Sequence, residues 1–222
     1  TSVQGAIIIT GAAGGMGRPT AIRLAKRGQP MVLCDVSAER LKALAAELEG
    51  HGAPISTLAA DISAADFPSQ ILALVGDQDI AVLVHTAGPS PTMAEPERIV
   101  EVNYFATERL VDAVAPRMAK GGCAVLISSC SGYMVPAPEI IAAVTQLVQN
   151  GDRAAIAAYS QSPQLSYPVS KLGIMKLVAK EATRFGTRGA RIVSIAPGFI
   201  DTEMGRAESK ASEMMRDLMT RV

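Results

Sequence analysis

TGAAGGMG at residues 10–17 directly follows the apolar run AIII at 6–9 and precedes a helix-compatible segment at 18–27. A β-branched run of this length is typical of a buried strand. Glycines at the turn from strand to helix let backbone amides approach a pyrophosphate at the helix N-terminus. The stretch therefore predicts a phosphate-binding βα turn. A turn that only packs a strand against a helix is the alternative that the glycines alone leave open.

Composition narrows the classes of protein to consider. At 222 residues the chain suits one domain, spanning 1–222, with a sizeable core. Lysine plus arginine equals aspartate plus glutamate at 21 each, so neither nucleic acid nor an anionic membrane surface is an expected partner. No apolar run approaches the roughly 18 residues of a membrane span, and we expect a cytoplasmic protein. Cys34, Cys123, Cys130, His51 and His85 lack metal-ligand spacing, which predicts buried reduced thiols and no metal.

Apolar runs alternate with helix-compatible segments along the chain. The predicted strands lie at 6–9, 30–35, 55–60, 80–84, 123–127 and 191–195. The predicted helices lie at 18–27, 38–48, 63–75, 97–120 with a break at Pro116, and 167–185. Six βα repeats predict an α/β fold, a Rossmann-type doubly wound parallel sheet in three layers with strand order 3-2-1-4-5-6.

Two segments depart from this repeat. Residues 133–166 contain a helical period at 138–148, a stop at Asn150-Gly151 and a cap at Asp152, which predict a helical insertion above the sheet. Beyond the sixth strand, 202–222 is amphipathic and rich in methionine, which predicts either a lid over an apolar pocket or a helix that packs on the core. The apolar positions of this last segment are Met204, Ala207, Ala211, Met214, Met215, Leu218 and Met219.

Asp35 ends the second strand, 18 residues beyond Gly17. An acid there accepts hydrogen bonds from both hydroxyls of an adenosine ribose and repels a 2′-phosphate, and Val36 offers no compensating cation. NAD is therefore favoured over NADP. A helix N-cap is the alternative role for Asp35, although Ser37 is the better cap for 38–48. Asp61 closes the third strand at the edge of the sheet where ligands bind.

Tyr167 is the one tyrosine of four that has a lysine four residues later, Lys171. On a helix these positions share a face, so the ammonium lies beside the phenol. An isolated phenol titrates near pH ~10, and an adjacent cation favours phenolate, which suits acid–base catalysis. The spacing also arises by chance. Asn103 places one amide on an apolar helix face, either for packing or for function.

In combination these residues resemble the short-chain dehydrogenase/reductase family over nearly the whole chain. The motifs occur in order: the glycine turn, Asp35, Asp61, residues 85–88, Asn103, Ser129, Tyr167, Lys171 and Pro197-Gly198. The resemblance implies that Tyr167 exchanges the substrate proton and that Ser129 holds the substrate oxygen. It also implies that Lys171 binds the nicotinamide ribose and lowers the tyrosine pKa, and that Asn103 supports a water chain to Lys171.

The same resemblance implies a set of cofactor-binding residues. They are Gly11, Gly15, Met16, Gly17, Asp35, Asp61, Ile62, Ala87, Gly88, Tyr167, Lys171, Pro197, Gly198, Ile200 and Thr202. The glycines fit TGxxxGxG of shorter members through Gly15, or TGxxGxxG of extended members through Gly14. Extended members carry a further substrate domain that this length does not supply, so the shorter form is expected. The long insertion most resembles bacterial 3α-hydroxysteroid dehydrogenase/carbonyl reductases.

The resemblance implies an NAD-dependent oxidoreductase that interconverts a secondary alcohol and a ketone on an apolar small molecule, as a homodimer or homotetramer. A dinucleotide-binding regulatory protein without turnover is the alternative. His85-Thr86 replaces the usual pair of asparagines, which changes the polar support near the fourth strand. Members of the family continue beyond the position of Val222 through another helix and a seventh strand, which would complete an edge of the sheet and a common subunit interface.

Overall fold

Six strands form one parallel sheet in the computed structural model, which describes residues 3–135, 137–211 and 216. The strands are β1 (Ala6–Thr10), β2 (Met31–Asp35), β3 (Ile55–Ala59), β4 (Ile80–His85), β5 (Met118–Ile127) and β6 (Arg191–Ile195). Their order is β3-β2-β1-β4-β5-β6, which confirms the predicted topology. The order reverses next to β1, and the carboxyl ends of β1 and β4 therefore border a crevice suited to a ligand.

Helices cover both faces of this sheet. Ile7, Ile9 and Leu33 pack against α1 (Gly17–Ala25) and α2 (Ala38–Leu48) on one face. The opposite face packs against α3 (Phe67–Val75), α5 (Ala106–Val114) and α7 (Pro163–Thr187). Because β1 and β2 are covered on both faces, all of their residues are buried, which explains their continuous apolar sequence.

The α1 face is open over β5 and β6 within the described part of the chain. Val193 and Ile195 there are 39% and 50% exposed, in contrast to the fully buried β1. A cavity of about 720 Å³ follows this face and is lined by Val84 and Val125 among other apolar residues. Helices therefore cover both faces of the sheet at β1 and β2, whereas among the described residues one face of β6 is open.

Two predicted boundaries are wrong for local reasons. The third helix begins at Phe67 instead of residue 63, because the Asp61 carboxylate accepts hydrogen bonds from both the backbone and the hydroxyl of Ser63 and closes a turn there. The fifth strand begins at Met118 instead of residue 123, because Gly121 at φ +83° accommodates an irregularity in the pairing with β4.

The long helix predicted from 97 to 120 consists of several pieces. It comprises α4 (Pro96–Val100), a π-turn at Glu101–Phe105, α5, and a 3₁₀ turn at Ala115–Arg117. A π-turn widens the helix locally and is frequent at functional sites. This π-turn contains Asn103, the residue whose role the sequence left open.

The insertion is helical, as predicted. Helix α6 (Pro138–Asn150) ends at Gly151 in the left-handed conformation, and the Asp152 side chain accepts a hydrogen bond at the start of a 3₁₀ helix, Arg153–Tyr159. The apolar face of α6 is buried against α7 through residues such as Val144 and Leu147. Since α7 begins at Pro163, the last residues of the predicted insertion belong to α7.

The predicted lid is described only in part. Helix α8 (Glu203–Ala211) follows β6, whereas Met214, Met215, Leu218 and Met219 lie outside the described residues. Gly205 lies inside α8, where an added Cβ would come 2.3 Å from the Ile200 carbonyl oxygen, so the glycine permits close packing of α8 against the segment that precedes it. Among the described helices, none has the length and apolar character needed to cross a membrane.

Candidate active site

A cleft of about 520 Å³ lies at the carboxyl ends of β1 to β4. Nine of the cofactor-binding residues predicted from the sequence line it. They are Gly11, Gly15, Met16, Asp35, Asp61, Ile62, Ala87, Gly88 and Thr202. Helix α8 closes one side of the cleft through Glu203, Met204 and Ala207. The sheet edge thus brings together residues that are far apart in the sequence.

Close backbone packing at the glycine turn selects one of the two glycine spacings. A Cβ added to Gly17 would lie 2.0 Å from the Gly11 carbonyl oxygen, and one added to Gly15 would lie 2.5 Å from the Thr202 side chain. Gly11 has φ +64°, which strains any other residue. A Cβ on Gly14 would meet its nearest neighbour at 3.2 Å. The turn therefore follows TGxxxGxG, and its exposed backbone at the start of α1 fits a pyrophosphate.

Backbone donors hold the Asp35 carboxylate at the rim of this cleft. Its two oxygens accept hydrogen bonds from the amides of Ala13 and Ser37, each at 3.0 Å. Ser37, not Asp35, caps α2, which excludes the capping role for Asp35. Arg40 lies 3.9 Å from the Asp35 carboxylate. The residue next to Asp35, Val36, carries no charge, but the first turn of α2 brings the positive charge of Arg40 back to the cleft.

Arg98 forms a second ion pair at the cleft, with Asp61. It also donates a hydrogen bond to the Ser63 hydroxyl. Burial by itself raises the pKa of Asp61, but the hydrogen bonds from Ser63 and the charge of Arg98 outweigh it, so the pKa is lowered overall. The ionised carboxylate at this position is therefore stabilised by a residue of α4 that the sequence analysis did not single out.

Tyr167, Lys171 and Ser129 converge beside this cleft. Tyr167 and Lys171 lie on successive turns of α7, with Lys171 Nζ 5.4 Å from the centroid of the tyrosine ring. Lys171 Nζ also donates a hydrogen bond to the Ile127 carbonyl at the end of β5. The Ser129 side chain is close enough to the Tyr167 phenol to lower its pKa, and the Ser129 hydroxyl accepts a hydrogen bond from the Ser131 amide at 3.2 Å. Ser128, by contrast, donates to the Lys171 carbonyl and anchors the helix backbone.

Asn103 is buried next to Lys171. Its Nδ2 donates hydrogen bonds to the Pro89 carbonyl and to Ser170 Oγ, each at 3.2 Å. Its Oδ1 is buried and has no hydrogen-bond partner within the described part of the chain. A Cβ added to Gly88 would lie 2.5 Å from this Oδ1 and 3.6 Å from Lys171 Nζ. The amide oxygen of Asn103 and the ammonium of Lys171 thus both border the space that stays open because Gly88 has no side chain.

Burial dominates the protonation of the central groups. Burial raises the pKa of Tyr167 above its ordinary value of 10.0; the nearby Ser129 hydroxyl lowers it, while Glu208 and Cys130 raise it further. Burial lowers the pKa of Lys171 to about 8. The lowered tyrosine pKa that the resemblance implies is thus opposite to the net direction found here, because desolvation outweighs the favourable contacts.

Glu208 is a further charged residue that the sequence analysis missed. Its carboxylate accepts hydrogen bonds from the Ser90 hydroxyl at 2.5 Å, the Thr92 hydroxyl at 2.6 Å and the Thr92 amide at 3.1 Å. These bonds join α8 to the loop after β4 across more than a hundred residues of sequence. Neither local pattern nor periodicity signals such a contact.

The remaining predicted cofactor residues lie outside the cleft lining. Pro197 and Ile200 border the apolar cavity on the α1 face of the sheet, along β4 to β6. A Cβ added to Gly198 would meet no atom within 4 Å. The Pro197 carbonyl accepts a hydrogen bond from the Cys130 amide and so joins the loop after β6 to the loop that carries Ser129. Contrary to the expectation of buried thiols, Cys130 is exposed and Cys123 is partly exposed. Cys130 lies in a 3₁₀ turn that follows β5, and Cys123 borders the apolar cavity.

The chain is similar to known proteins over most of its length. A family model described as short chain dehydrogenase matches residues 5–143. Oxidoreductase UcpA of Salmonella typhimurium is 29% identical over 218 residues, covering 92% of this chain and 73% of that protein. The 3-alpha-hydroxysteroid dehydrogenase/carbonyl reductase of Comamonas testosteroni is 29% identical over 206 residues, covering 90% and 75%. The solved structure of a short-chain type dehydrogenase/reductase from Mycobacterium ulcerans superposes with a TM-score of 0.73 at 24% identity, covering 98% and 76%, which supports the fold.

Proposed function

The chain belongs to the short-chain dehydrogenase/reductase family, and we propose that within it this protein is an NAD-dependent oxidoreductase that interconverts a secondary alcohol and a ketone on an apolar substrate. Members of the family bind a nicotinamide dinucleotide and act on alcohol or ketone groups of small molecules. The observation that carries the proposal is the convergence of Ser129, Tyr167 and Lys171 beside the glycine-turn cleft.

Each of these side chains has a proposed role in ketone reduction. The Ser129 hydroxyl hydrogen-bonds to the substrate carbonyl oxygen and orients it toward Tyr167. Tyr167 donates its phenolic proton to that oxygen. Lys171 holds the nicotinamide ribose and stabilises the resulting phenolate, and Asn103 supports a water that returns a proton toward Lys171. When bound, the nicotinamide supplies the hydride that reaches the carbonyl carbon.

The proposed preference for NAD rests on Asp35. Its carboxylate is fixed at the rim by two backbone amides and keeps free lone pairs for the two ribose hydroxyls. Arg40 is the nearby cation, but its charge is shared between Asp35 and Glu203 at 3.9 and 3.8 Å. A 2′-phosphate would therefore meet a carboxylate instead of an unpaired guanidinium. Pro197, Gly198, Ile200 and Thr202 would contact the nicotinamide end.

The substrate preference is proposed from the side of the cleft nearest α8. Met93 and Met204 are flexible, polarizable side chains that adapt to apolar ligands of varied shape. The hydroxysteroid dehydrogenase/carbonyl reductase relative by its name takes such a ligand. Absorbance of the reduced cofactor, followed across a panel of ketones and secondary alcohols with NAD or NADH, tests the proposal. NAD binding without turnover across the panel would instead favour the regulatory alternative.

The two directions of the reaction should depend on pH in opposite ways. Because burial raises the pKa of Tyr167, the phenol stays protonated at neutral pH, which suits proton donation to a ketone. Alcohol oxidation needs the phenolate, so its kcat/KM should rise with pH throughout the neutral and mildly alkaline range. Ketone reduction should decline above pH 8, where Lys171 loses its proton. Initial rates in both directions test this, and an alcohol oxidation rate independent of pH would contradict it.

We further propose that 138–158, within the insertion at 133–166, forms a fixed wall of the pocket and that 202–222 forms a mobile lid. The wall is supported by the buried face of α6, and the lid by the three hydrogen bonds of Glu208 to the loop after β4. In hydrogen exchange, protection should rise on NAD binding in 202–222 and stay high throughout in 138–158. Equal protection of both segments in the free protein would contradict the lid.

Glu208→Ala sharpens this test. Loss of its three hydrogen bonds should speed exchange in 203–211 without changing 138–158, because only α8 loses its attachment. Glu203→Ala is the matched control on the same helix, since Glu203 is 90% exposed and lies 3.8 Å from Arg40. If both variants exchange alike, Glu208 does not hold the lid.

We propose a homodimer or homotetramer in the cytoplasm, where the free cysteines Cys34, Cys123 and Cys130 stay reduced. Since α6 packs against α7, we expect the insertion to block association through that surface of α7 or to replace the helix-to-helix contact there.

A further inference from the structure

His85, the last residue of β4, joins two elements of the site. Its ring is buried with 3% exposure. Nδ1 lies 2.6 Å from the Thr10 hydroxyl, and Nε2 lies 2.7 Å from the Thr107 hydroxyl. Thr10 immediately precedes the glycine turn, and Thr107 lies one turn beyond Asn103. The imidazole therefore bridges the end of β1 and the helix that carries Asn103.

The hydrogen bonds determine where the protons of this network lie. The Thr107 hydroxyl donates its single proton to the Asn103 carbonyl at 2.9 Å, so the same oxygen must accept the Nε2–H of His85. Nδ1 is then the acceptor for the Thr10 hydroxyl. The ring is thus neutral with its proton on Nε2. Burial, with a smaller contribution from the Lys171 charge, lowers the pKa of His85 to about 3, which agrees with a neutral ring.

The hydrogen bonds from His85 reach the backbone carbonyl of Asn103, and the side-chain amide of Asn103 continues them to α7. Asn103 lies in the π-turn, and the Thr107 hydroxyl bonds its carbonyl there. On the other side, Asn103 Nδ2 donates to Ser170 Oγ, which itself donates to the Tyr167 carbonyl at 2.7 Å. Displacement of the Asn103 backbone carbonyl would therefore also move the Asn103 side-chain amide, which contacts α7 beside Tyr167 and Lys171.

We propose that His85 is a positioning residue whose ring, held in one tautomer between Thr10 and Thr107, keeps Asn103 in the orientation that Lys171 requires. The proposal rests on the proposed function, since it concerns proton return to Lys171. The ring touches neither substrate nor cofactor in this role. The two nitrogens lie on opposite sides of the imidazole ring, so this single side chain reaches both β1 and α5. The family usually has a pair of asparagines at positions 85 and 86.

The tautomer is testable without any turnover. The chain contains two histidines, so ¹⁵N spectra of the imidazoles are simple, and His51→Gln identifies the remaining signals. We expect His85 to show a protonated Nε2 and an unprotonated Nδ1, without titration between about pH 5 and 8, where an ordinary histidine changes charge. Titration of His85 in this range, or a proton on Nδ1, would overturn the assignment.

Thr107→Val tests the effect on Asn103. It removes the link between His85 and the Asn103 carbonyl, so kcat should fall roughly 10- to 100-fold with little change in KM for NAD, since small displacements of catalytic groups cost that much. Exchange of the Asn103 side-chain amide protons should also accelerate. Thr107→Ser, which keeps the hydroxyl, should restore both readouts. Thr187→Val is the control, because it removes an equivalent hydroxyl-to-carbonyl bond, to Arg184, at the far end of α7.

The outcomes separate this proposal from the proposed function. If the wild-type protein shows no turnover, the proposed function fails, while the amide exchange of Asn103 still decides whether His85 and Thr107 hold it. If Thr107→Val leaves both kcat and the amide exchange unchanged, or if Thr187→Val has the same effect as Thr107→Val, the positioning role is wrong. Thermal unfolding of each variant shows that the comparison is made on folded protein.

Discussion

Tyr167→Phe is expected to lower turnover by roughly 10²- to 10⁴-fold, the usual contribution of a positioned acid–base group. The substitution removes one oxygen, and with it the proton that the substrate oxygen requires. Cofactor affinity and the free energy of unfolding should change little, because the aromatic ring and its packing remain. Steady-state rates with the best ketone of the panel, NAD binding by titration and thermal unfolding measure the three quantities.

Tyr133→Phe provides the matched control for this variant. Tyr133 follows Ser129 closely in the sequence, but its side chain is 77% exposed, so loss of its hydroxyl should leave turnover within about twofold of wild type. If Tyr167→Phe retains near-normal turnover, Tyr167 is not the acid–base group, and the proposed mechanism is wrong.

Asp35→Ala combined with Val36→Arg is expected to shift the ratio of kcat/KM for NADP over NAD by roughly 100-fold. The carboxylate that would accept two ribose hydroxyls is lost, a phosphate-binding cation is gained, and charged hydrogen bonds contribute about 1.5–3 kcal/mol each. Val36 is 71% exposed, so an arginine there has room. Arg40, released from Asp35 at 3.9 Å, would add to the positive charge.

Two single variants separate the causes of this shift. Val36→Arg alone leaves the carboxylate in place and should change the ratio much less. Asp35→Asn keeps an oxygen that can accept from Ser37 or Ala13 but removes the charge, so it isolates the electrostatic part. A wild-type protein that already prefers NADP would show that Asp35 does not bind the ribose hydroxyls.

Local sequence determined most of the secondary structure. Strands β1 and β2 appear as continuous apolar runs because both of their faces are buried, and α2 begins after Ser37 because a hydroxyl cap satisfies a free amide. Residue spacing within one helix placed Lys171 beside Tyr167. These features depend on neighbours along the chain, so their pattern is visible in the sequence.

Tertiary structure decided the features that depend on distant residues. Arg40 reaches Asp35, Glu208 reaches Ser90, and His85 reaches Thr107 only because the sheet order brings their elements together. The choice between the two glycine spacings likewise required the close approach of Thr202 to Gly15.

The pKa values of Tyr167 and Lys171 show most clearly the difference between what the sequence determined and what the tertiary structure decided. The sequence determined that Tyr167 and Lys171 share a helix face, from which a lowered tyrosine pKa follows. The structure shows a raised pKa for Tyr167 and a lowered one for Lys171, because burial acts on both groups. Desolvation is a property of everything that surrounds a side chain in space, and spacing along the chain does not report it.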